Sequence, residues 1–84
     1  MDSPVRMTDE QAEAVVRDVL RSVAPGPALD TLAPRDDLRE TLGLDSLDFL
    51  AVVTRVSERT GRRIEEDDYD QLGDLAGWVA YLAA

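Results

Sequence analysis

The sequence predicts an all-α fold, a small four-helix bundle with a long first loop and a short third helix. Apolar residues recur at three- and four-residue intervals in three stretches, which is the periodicity of helices with one buried face. A threonine or aspartate that can cap a helix precedes each stretch, and no stretch alternates apolar and polar residues as a strand would. With 84 residues, 44% of them hydrophobic, the chain suits one small domain with a single core.

The first predicted helix runs from about Thr8 to Val23, after a leader of residues 1–7 that lacks periodicity and is expected to be flexible. Thr8 is a good N-cap, and Gln11 three residues later completes a capping box. A Pro-Gly-Pro sequence at residues 25–27 ends the helix. The core-facing stripe comprises Ala12, Val15, Val16, Val19, Leu20 and Val23.

A long connection follows, and it is too apolar to be a free linker. Its regularly spaced leucines are Leu29, Leu32, Leu38, Leu42 and Leu44. We expect these leucines to hold the connection across the helix ends, with a short turn around residues 37–41. Gly43 then lets the backbone change direction.

The second main helix is predicted from Ser46 to Thr60, with Asp45 as N-cap and Gly61 as a left-handed stop. At about 100° per residue, the core face comprises Phe49, Val52, Val53, Val56 and Thr60. The opposite face comprises Leu47, Ala51, Thr54 and Glu58, with Leu50 at its edge.

The remaining chain predicts a short third helix within residues 62–70 and a last helix with Asp70 as its candidate cap. Ile64 and Tyr69 are the expected buried points of the short helix. The stripe of the last helix comprises Leu72, Leu75, Ala76, Val79 and Leu82, with Trp78 and Tyr81 on its flank. Gly73 and Gly77 weaken its helical propensity.

Acidic residues outnumber basic ones by 18 to 9, which gives a net charge of −9, and every basic residue is an arginine. This charge disfavours nucleic acid and anionic membranes and favours protein partners with basic surfaces. The chain has no cysteine, so it forms neither a disulfide nor a thiolate zinc site. No apolar run reaches the length of a membrane span and no signal-peptide pattern is present, so we expect a cytoplasmic monomer.

Ser46 lacks the partners that a catalytic nucleophile needs. A serine nucleophile requires a base within hydrogen-bond reach, usually histidine, and the chain has no histidine and no lysine. Asp45 and Asp48 are weak bases when they are ionised. We therefore predict that the protein is not an enzyme and has no catalytic residue.

The acidic segment before the last helix is a poor match to a calcium loop. Asp68, Asp70 and Gly73 fit positions one, three and six of an EF-hand, but position twelve is Val79, where a bidentate glutamate is required. We predict no metal site, and we interpret the pair Asp67 and Asp68 as solvated surface.

Ser46 is better suited to covalent attachment than to catalysis. A hydroxyl in the first turn of a helix lies beside unpaired amides and the positive end of the helix dipole, which favours a phosphodiester there. Alternatively, Asp45 or Ser46 is a plain N-cap. Capping does not explain the exposed positions predicted for Leu47 and Leu50, which favour a recognised surface.

The stretch Gly-Leu-Asp-Ser-Leu at residues 43–47, followed by an apolar helix, resembles the modification site of acyl carrier proteins. The upstream segment resembles the ordered first loop of that family at Leu32, Asp37, Leu38 and Leu42. Ile64, Tyr69, Leu72 and Leu75 resemble its short third helix and its last helix. The resemblance covers residues 8–83, and both the order and the spacing of the elements agree.

This resemblance implies one carrier domain over residues 1–84, with 4'-phosphopantetheine attached to Ser46. A phosphopantetheinyl transferase would move the group from coenzyme A with magnesium. The thiol of the arm would then carry acyl intermediates as thioesters for polyketide, specialised lipid or fatty-acid biosynthesis. The implied partners are an acyl- or aminoacyl-loading ligase or transferase, and a ketosynthase or another thioester-using enzyme.

The resemblance also implies that the second main helix recognises partners through apolar residues framed by carboxylates. The implied recognition residues are Asp45, Leu47, Asp48, Leu50, Ala51, Thr54 and Glu58. The sequence departs from fatty-acid carriers at Ala51 and Ser57, which are commonly glutamate, while Arg55 and Arg59 add positive charge. These departures point away from a housekeeping role in fatty-acid synthesis. Glu65 replaces the proline that commonly follows the isoleucine, a departure that concerns the start of the short third helix.

Two alternatives stay open at this point. A carrier of aminoacyl or peptidyl groups would share the motif, although an aspartate before the serine is commoner in acyl carriers. An unmodified acidic helical adaptor would bind a basic partner through Leu47 and Leu50, with Ser46 only as a cap. The chain begins with methionine and ends soon after its last helix, which predicts a discrete protein.

Overall fold

The computed structural model describes residues 7–83, which form a bundle of helices. The helical segments are α1 (Asp9–Val23), α2 (Pro27–Asp30), α3 (Leu38–Leu42), α4 (Ser46–Thr60), a 3-10 helix (Glu66–Leu72) and α5 (Leu75–Ala83). No strand occurs in this range, where the β pairing is one isolated bridge between Asp37 and Asp74. The all-α prediction is confirmed. The predicted leader falls outside the described residues except for Met7, which packs against the core instead of extending freely.

Helix α1 begins with the predicted capping box and packs against both α4 and α5. Thr8 Oγ1 accepts a hydrogen bond from the Gln11 amide at 3.1 Å, and the Thr8 amide donates to Gln11 Oε1 at 3.0 Å. The residues that α1 buries fully are Ala12, Val16, Val19 and Leu20. These contacts make α1 the central support of the bundle.

The long connection contains two short helices that the sequence analysis did not separate. We predicted Pro27 only as part of a helix stop, whereas it begins α2, because its fixed φ and missing amide suit a first helical turn. Arg17 of α1 holds this region by donating to the carbonyls of Leu29 and Leu32 at 3.2 and 3.3 Å. Of the five leucines predicted to anchor the connection, four are buried, and Leu42 is partly buried against the core.

Helix α4 has the predicted bounds and caps. Asp45 is the N-cap, and Gly61 ends the helix in the left-handed region with φ of 72°. The fully buried residues of α4 are Val52, Val53 and Val56, as predicted. Phe49 and Thr60 lie at the edges of this face and are half-buried.

The prediction for the cap of α5 was wrong. The helix begins at Leu75, and Asp74 rather than Asp70 accepts a hydrogen bond from the Gly77 amide, at 2.7 Å. Leu72 belongs to the preceding 3-10 helix. Trp78, which we placed on the flank, is 0% exposed and is the largest fully buried side chain. The buried face of α5 is wider than the predicted stripe and includes Trp78, whose indole therefore lies in the core.

Backbone hydrogen bonds join the long connection to the start of α5. The Leu38 amide donates to the Gly73 carbonyl and the Ala76 amide donates to the Pro34 carbonyl, both at 2.9 Å. These bonds place α3, which carries Arg39, beside the end of the 3-10 helix. The N-terminal end of α4 lies next to both.

Candidate functional site

Ser46 is the first residue of α4, and its side chain is exposed. The cap of this helix does not use its hydroxyl. Asp45 Oδ1 accepts from the Asp48 amide at 2.8 Å, and Asp48 Oδ2 accepts from the Asp45 amide at 3.3 Å. Because the two aspartates satisfy each other's amides, the hydroxyl of Ser46 is not needed to start the helix.

Arg39 contacts Ser46, a feature that sequence analysis missed. Its Nη2 atom donates to Ser46 Oγ at 3.3 Å, across seven residues of sequence. The turn at Gly43, with φ of 69°, folds the chain back between the two residues. A guanidinium therefore lies beside the hydroxyl that the sequence singled out.

A cleft of about 340 Å³ opens next to Ser46, between α4 and the 3-10 helix. The residues that line this Ser46 cleft are Arg39, Ser46, Phe49, Leu50, Tyr69, Asp70 and Gly73. The rings of Phe49 and Tyr69 pack edge to face, with centroids 5.4 Å apart and planes at 81°. The cleft thus combines an apolar wall with one basic side chain, Arg39, and one acidic side chain, Asp70.

The two other serines within residues 7–83 have their hydroxyls engaged with backbone carbonyls. Ser22 Oγ donates to the Val19 carbonyl at 2.7 Å, and Ser57 Oγ donates to the Arg62 carbonyl at 2.6 Å. Ser46 Oγ accepts from Arg39, lies exposed at a helix start and, among the described residues, is not bonded to a backbone carbonyl. Of these three hydroxyls, that of Ser46 is therefore the one not engaged as a donor to the backbone.

The predicted recognition residues lie along the outer side of α4, and we call them the partner face. Leu47 is 76% exposed and Leu50 is 44% exposed, which is unusual for large apolar side chains in this protein. The exposed polar members are Asp45, Thr54 and Glu58, while Asp48 and Ala51 are half-buried. The structure therefore places these residues together on the accessible side of α4.

Two arginines follow the partner face on the flank of α4 that meets α1. Arg55 Nη1 donates to Ser22 Oγ at 2.8 Å, and Arg59 forms an ion pair with Asp18 at 3.7 Å. The aspartates of the cap lie at the opposite end of the same helix. The accessible side of α4 is acidic near Ser46 and gains positive charge towards its C-terminus.

Asp68, one of the acidic residues of the 3-10 helix, stabilises the fold through hydrogen bonds. Asp68 is not plain solvated surface as predicted, because its Oδ2 accepts from the Glu65 amide and from the Tyr81 hydroxyl, each at 3.0 Å. Burial, together with this hydrogen bond, raises the pKa of Tyr81 above its usual value of 10.0.

Within residues 7–83, no three acidic, histidine or cysteine side chains form a group that could hold a metal ion. None of the helices in this range is both long and apolar enough to span a bilayer.

Comparison with known protein families identifies the chain. A family model described as a phosphopantetheine attachment site matches residues 14–82, which is most of the 84-residue sequence. Comparison with curated proteins and with solved structures gives no significant match. Carrier proteins of this family interact with phosphopantetheinyl transferases and with thioester-using enzymes. The chain therefore belongs to the phosphopantetheine-binding family and is a carrier protein of the acyl-carrier type, with covalently attached 4'-phosphopantetheine.

Proposed function

We propose that Ser46 is the attachment residue and that the protein carries acyl groups between enzymes of polyketide, specialised lipid or fatty-acid biosynthesis in the cytoplasm. The observation that supports this most is the exposed hydroxyl at the first residue of α4, in a cap that Asp45 and Asp48 complete without it. The aspartate before this serine favours acyl over aminoacyl cargo, as the resemblance to acyl carriers implies.

The residues around Ser46 fit a phosphodiester. The unpaired amides at the start of α4 form the positive end of the helix dipole, which favours an exposed negative charge there by about 0.3–1 kcal/mol. The guanidinium of Arg39, 3.3 Å from Ser46 Oγ, adds a positive charge. These groups offset the repulsion from the carboxylates of Asp45 and Asp48.

In the attachment step, Ser46 Oγ would bond to the phosphorus of coenzyme A that bears the pantetheine, and its proton would pass to a base. The pyrophosphate bond would break at the same time and release adenosine 3',5'-bisphosphate as the leaving group. The transferase would supply the base, because this chain contains no histidine or lysine. The attached arm supplies a thiol for thioester formation, which the cysteine-free chain lacks. The protein itself orients and presents the cargo and catalyses no reaction in this proposal.

The partner face would bind enzymes that act on the cargo. The side chain of Leu47 would enter an apolar pocket, while Asp45, Asp48 and Glu58 would meet basic side chains around the entrance to the partner's active site. The same partner would need acidic or neutral groups opposite Arg55. Ala51 and Thr54 are smaller and would allow close approach between the two surfaces.

Intact-mass measurement after incubation with coenzyme A, magnesium and a promiscuous phosphopantetheinyl transferase tests this proposal. We expect the wild type to gain the mass of one phosphopantetheine group and Ser46→Ala to gain none. Ser22→Ala is the matched control and should gain the same mass as the wild type. No gain on the wild type would favour an unmodified adaptor, and a gain on Ser46→Ala would place the attachment elsewhere.

A further inference from the structure

Arg39 is the one cation that the described residues 7–83 place within hydrogen-bond distance of Ser46 Oγ. The other charged groups beside this serine are acidic. Asp45 and Asp48 form the cap of α4, and Asp70 lines the same cleft. Any anion attached to Ser46 is therefore close to several carboxylates and to one guanidinium.

The backbone of Arg39 is held firmly although its side chain is exposed. Asp37 Oδ1 caps α3 by accepting from the Arg39 amide at 3.1 Å. The carbonyl of Arg39 accepts from the amides of both Gly43 and Leu44. The turn that leads to Ser46 is thus bonded to Arg39 itself, which fixes the backbone of Arg39 relative to that of Ser46.

We propose that Arg39 binds the phosphodiester of the arm and is its positioning residue on this protein. This inference rests on the proposed attachment at Ser46. Attachment adds non-bridging phosphate oxygens next to Ser46 Oγ, within reach of a guanidinium that already contacts this atom. Arginine is well suited to this contact, since its planar N–H groups match the geometry of phosphate oxygens.

The contact orients the first atoms of the arm. Arg39 lines the Ser46 cleft, so a phosphodiester held by Arg39 starts the arm on the side of α4 that faces the 3-10 helix. Exposed ion pairs of this kind change an equilibrium by about 1.5- to 5-fold and weaken as salt is added. Arg39 therefore biases the arm without immobilising it.

Phosphorus NMR of the loaded protein tests the proposal. The samples are the loaded wild type, loaded Arg39→Gln and loaded Arg35→Gln, each at low and at high sodium chloride. Arg35 is an exposed arginine in the same connection, and its replacement removes the same charge. A second readout, the Nε–Hε resonance of Arg39 in the wild type before and after loading, does not depend on any variant.

We expect the phosphodiester resonance of Arg39→Gln to differ from that of the wild type at low salt and to coincide with it at high salt. The resonance of Arg35→Gln should match the wild type throughout, and the Arg39 Nε–Hε resonance should move on loading. Identical phosphorus resonances in all three proteins, with an unmoved Arg39 resonance, would overturn the inference. Failure to load Ser46 at all, seen by intact mass, would overturn the proposed function instead.

Discussion

Replacement of Gly77 by alanine should destabilise the bundle, although alanine is the better helix former. Gly77 lies in α5, and a Cβ atom there would be 1.8 Å from the backbone carbonyl oxygen of Gln71. The same methyl group would approach Asp74 Oδ1 at 3.1 Å. A backbone oxygen cannot rotate away as a side chain can, so either the end of the 3-10 helix or the start of α5 must shift.

Helix propensity and overpacking act in opposite directions on the stability of Gly77→Ala, and their difference gives the expected loss. Alanine gains about 1 kcal/mol over glycine in a helix interior, whereas overpacking a core costs about 1–3 kcal/mol and sometimes more. Because the clash involves backbone, we take the upper part of that range and expect a net loss of about 2 kcal/mol. For a domain of this size, such a loss lowers the melting temperature by roughly 8–16 °C.

Thermal unfolding followed by far-UV circular dichroism measures this difference. Gly73→Ala is the matched control, since a Cβ at Gly73 meets nothing within 4 Å and its φ of −76° suits alanine. We expect Gly73→Ala to unfold at or slightly above the wild-type temperature, because the replacement stabilises the fold by up to about 1 kcal/mol. A Gly77→Ala variant as stable as the wild type would refute the packing described for α5 and the 3-10 helix.

Four further predictions concern the core, the partner face, the ionisation of Tyr81 and the net charge. Val56→Asp should unfold the protein in circular dichroism, because Val56 is 0% exposed. Leu47→Asp should change the free energy of unfolding by no more than about 0.5 kcal/mol but lower kcat/KM for loading by about fivefold or more. Equal destabilisation by Val56→Asp and Leu47→Asp would contradict the face assignment. Because the pKa of Tyr81 is higher in the folded than in the unfolded protein, its protonated hydroxyl stabilises the fold below pH of about 10, and this stabilisation is lost as pH rises through the folded pKa. Above pH of about 10, the urea midpoint of Tyr81→Phe should therefore fall less than that of the wild type. With a net charge of −9, the melting temperature should rise as sodium chloride is added, and a salt-independent value would argue against self-repulsion.

The bounds of α1 and α4 were predictable because the signals at their ends are local in sequence. Thr8 with Gln11, and Asp45 before an apolar periodic run, need only neighbouring amides to act as caps. Gly61 likewise ends α4 through its own left-handed conformation. The exposure of Leu47 followed from helical periodicity alone, and the structure confirms it.

Other features depend on tertiary contacts that periodicity does not encode. Asp70 and Asp74 both precede Leu75, and the backbone of Asp74, the residue that caps the Gly77 amide, is paired with Asp37 of the long connection. Trp78 is fully buried because neighbouring elements cover that side of α5. The contact of Arg39 with Ser46 requires the turn at Gly43 and the placement of α3 by the Gly73 carbonyl, both set by folding.

Fragmentation mass spectrometry of the loaded protein tests whether Ser46 holds the phosphopantetheine arm. Backbone cleavage that preserves the phosphodiester assigns the added mass to one residue. We predict that every fragment carrying the added mass contains Ser46 and that fragments ending at or before Asp45, or starting at or after Leu47, carry none. Added mass located on Ser22, Ser57 or any other residue would contradict it.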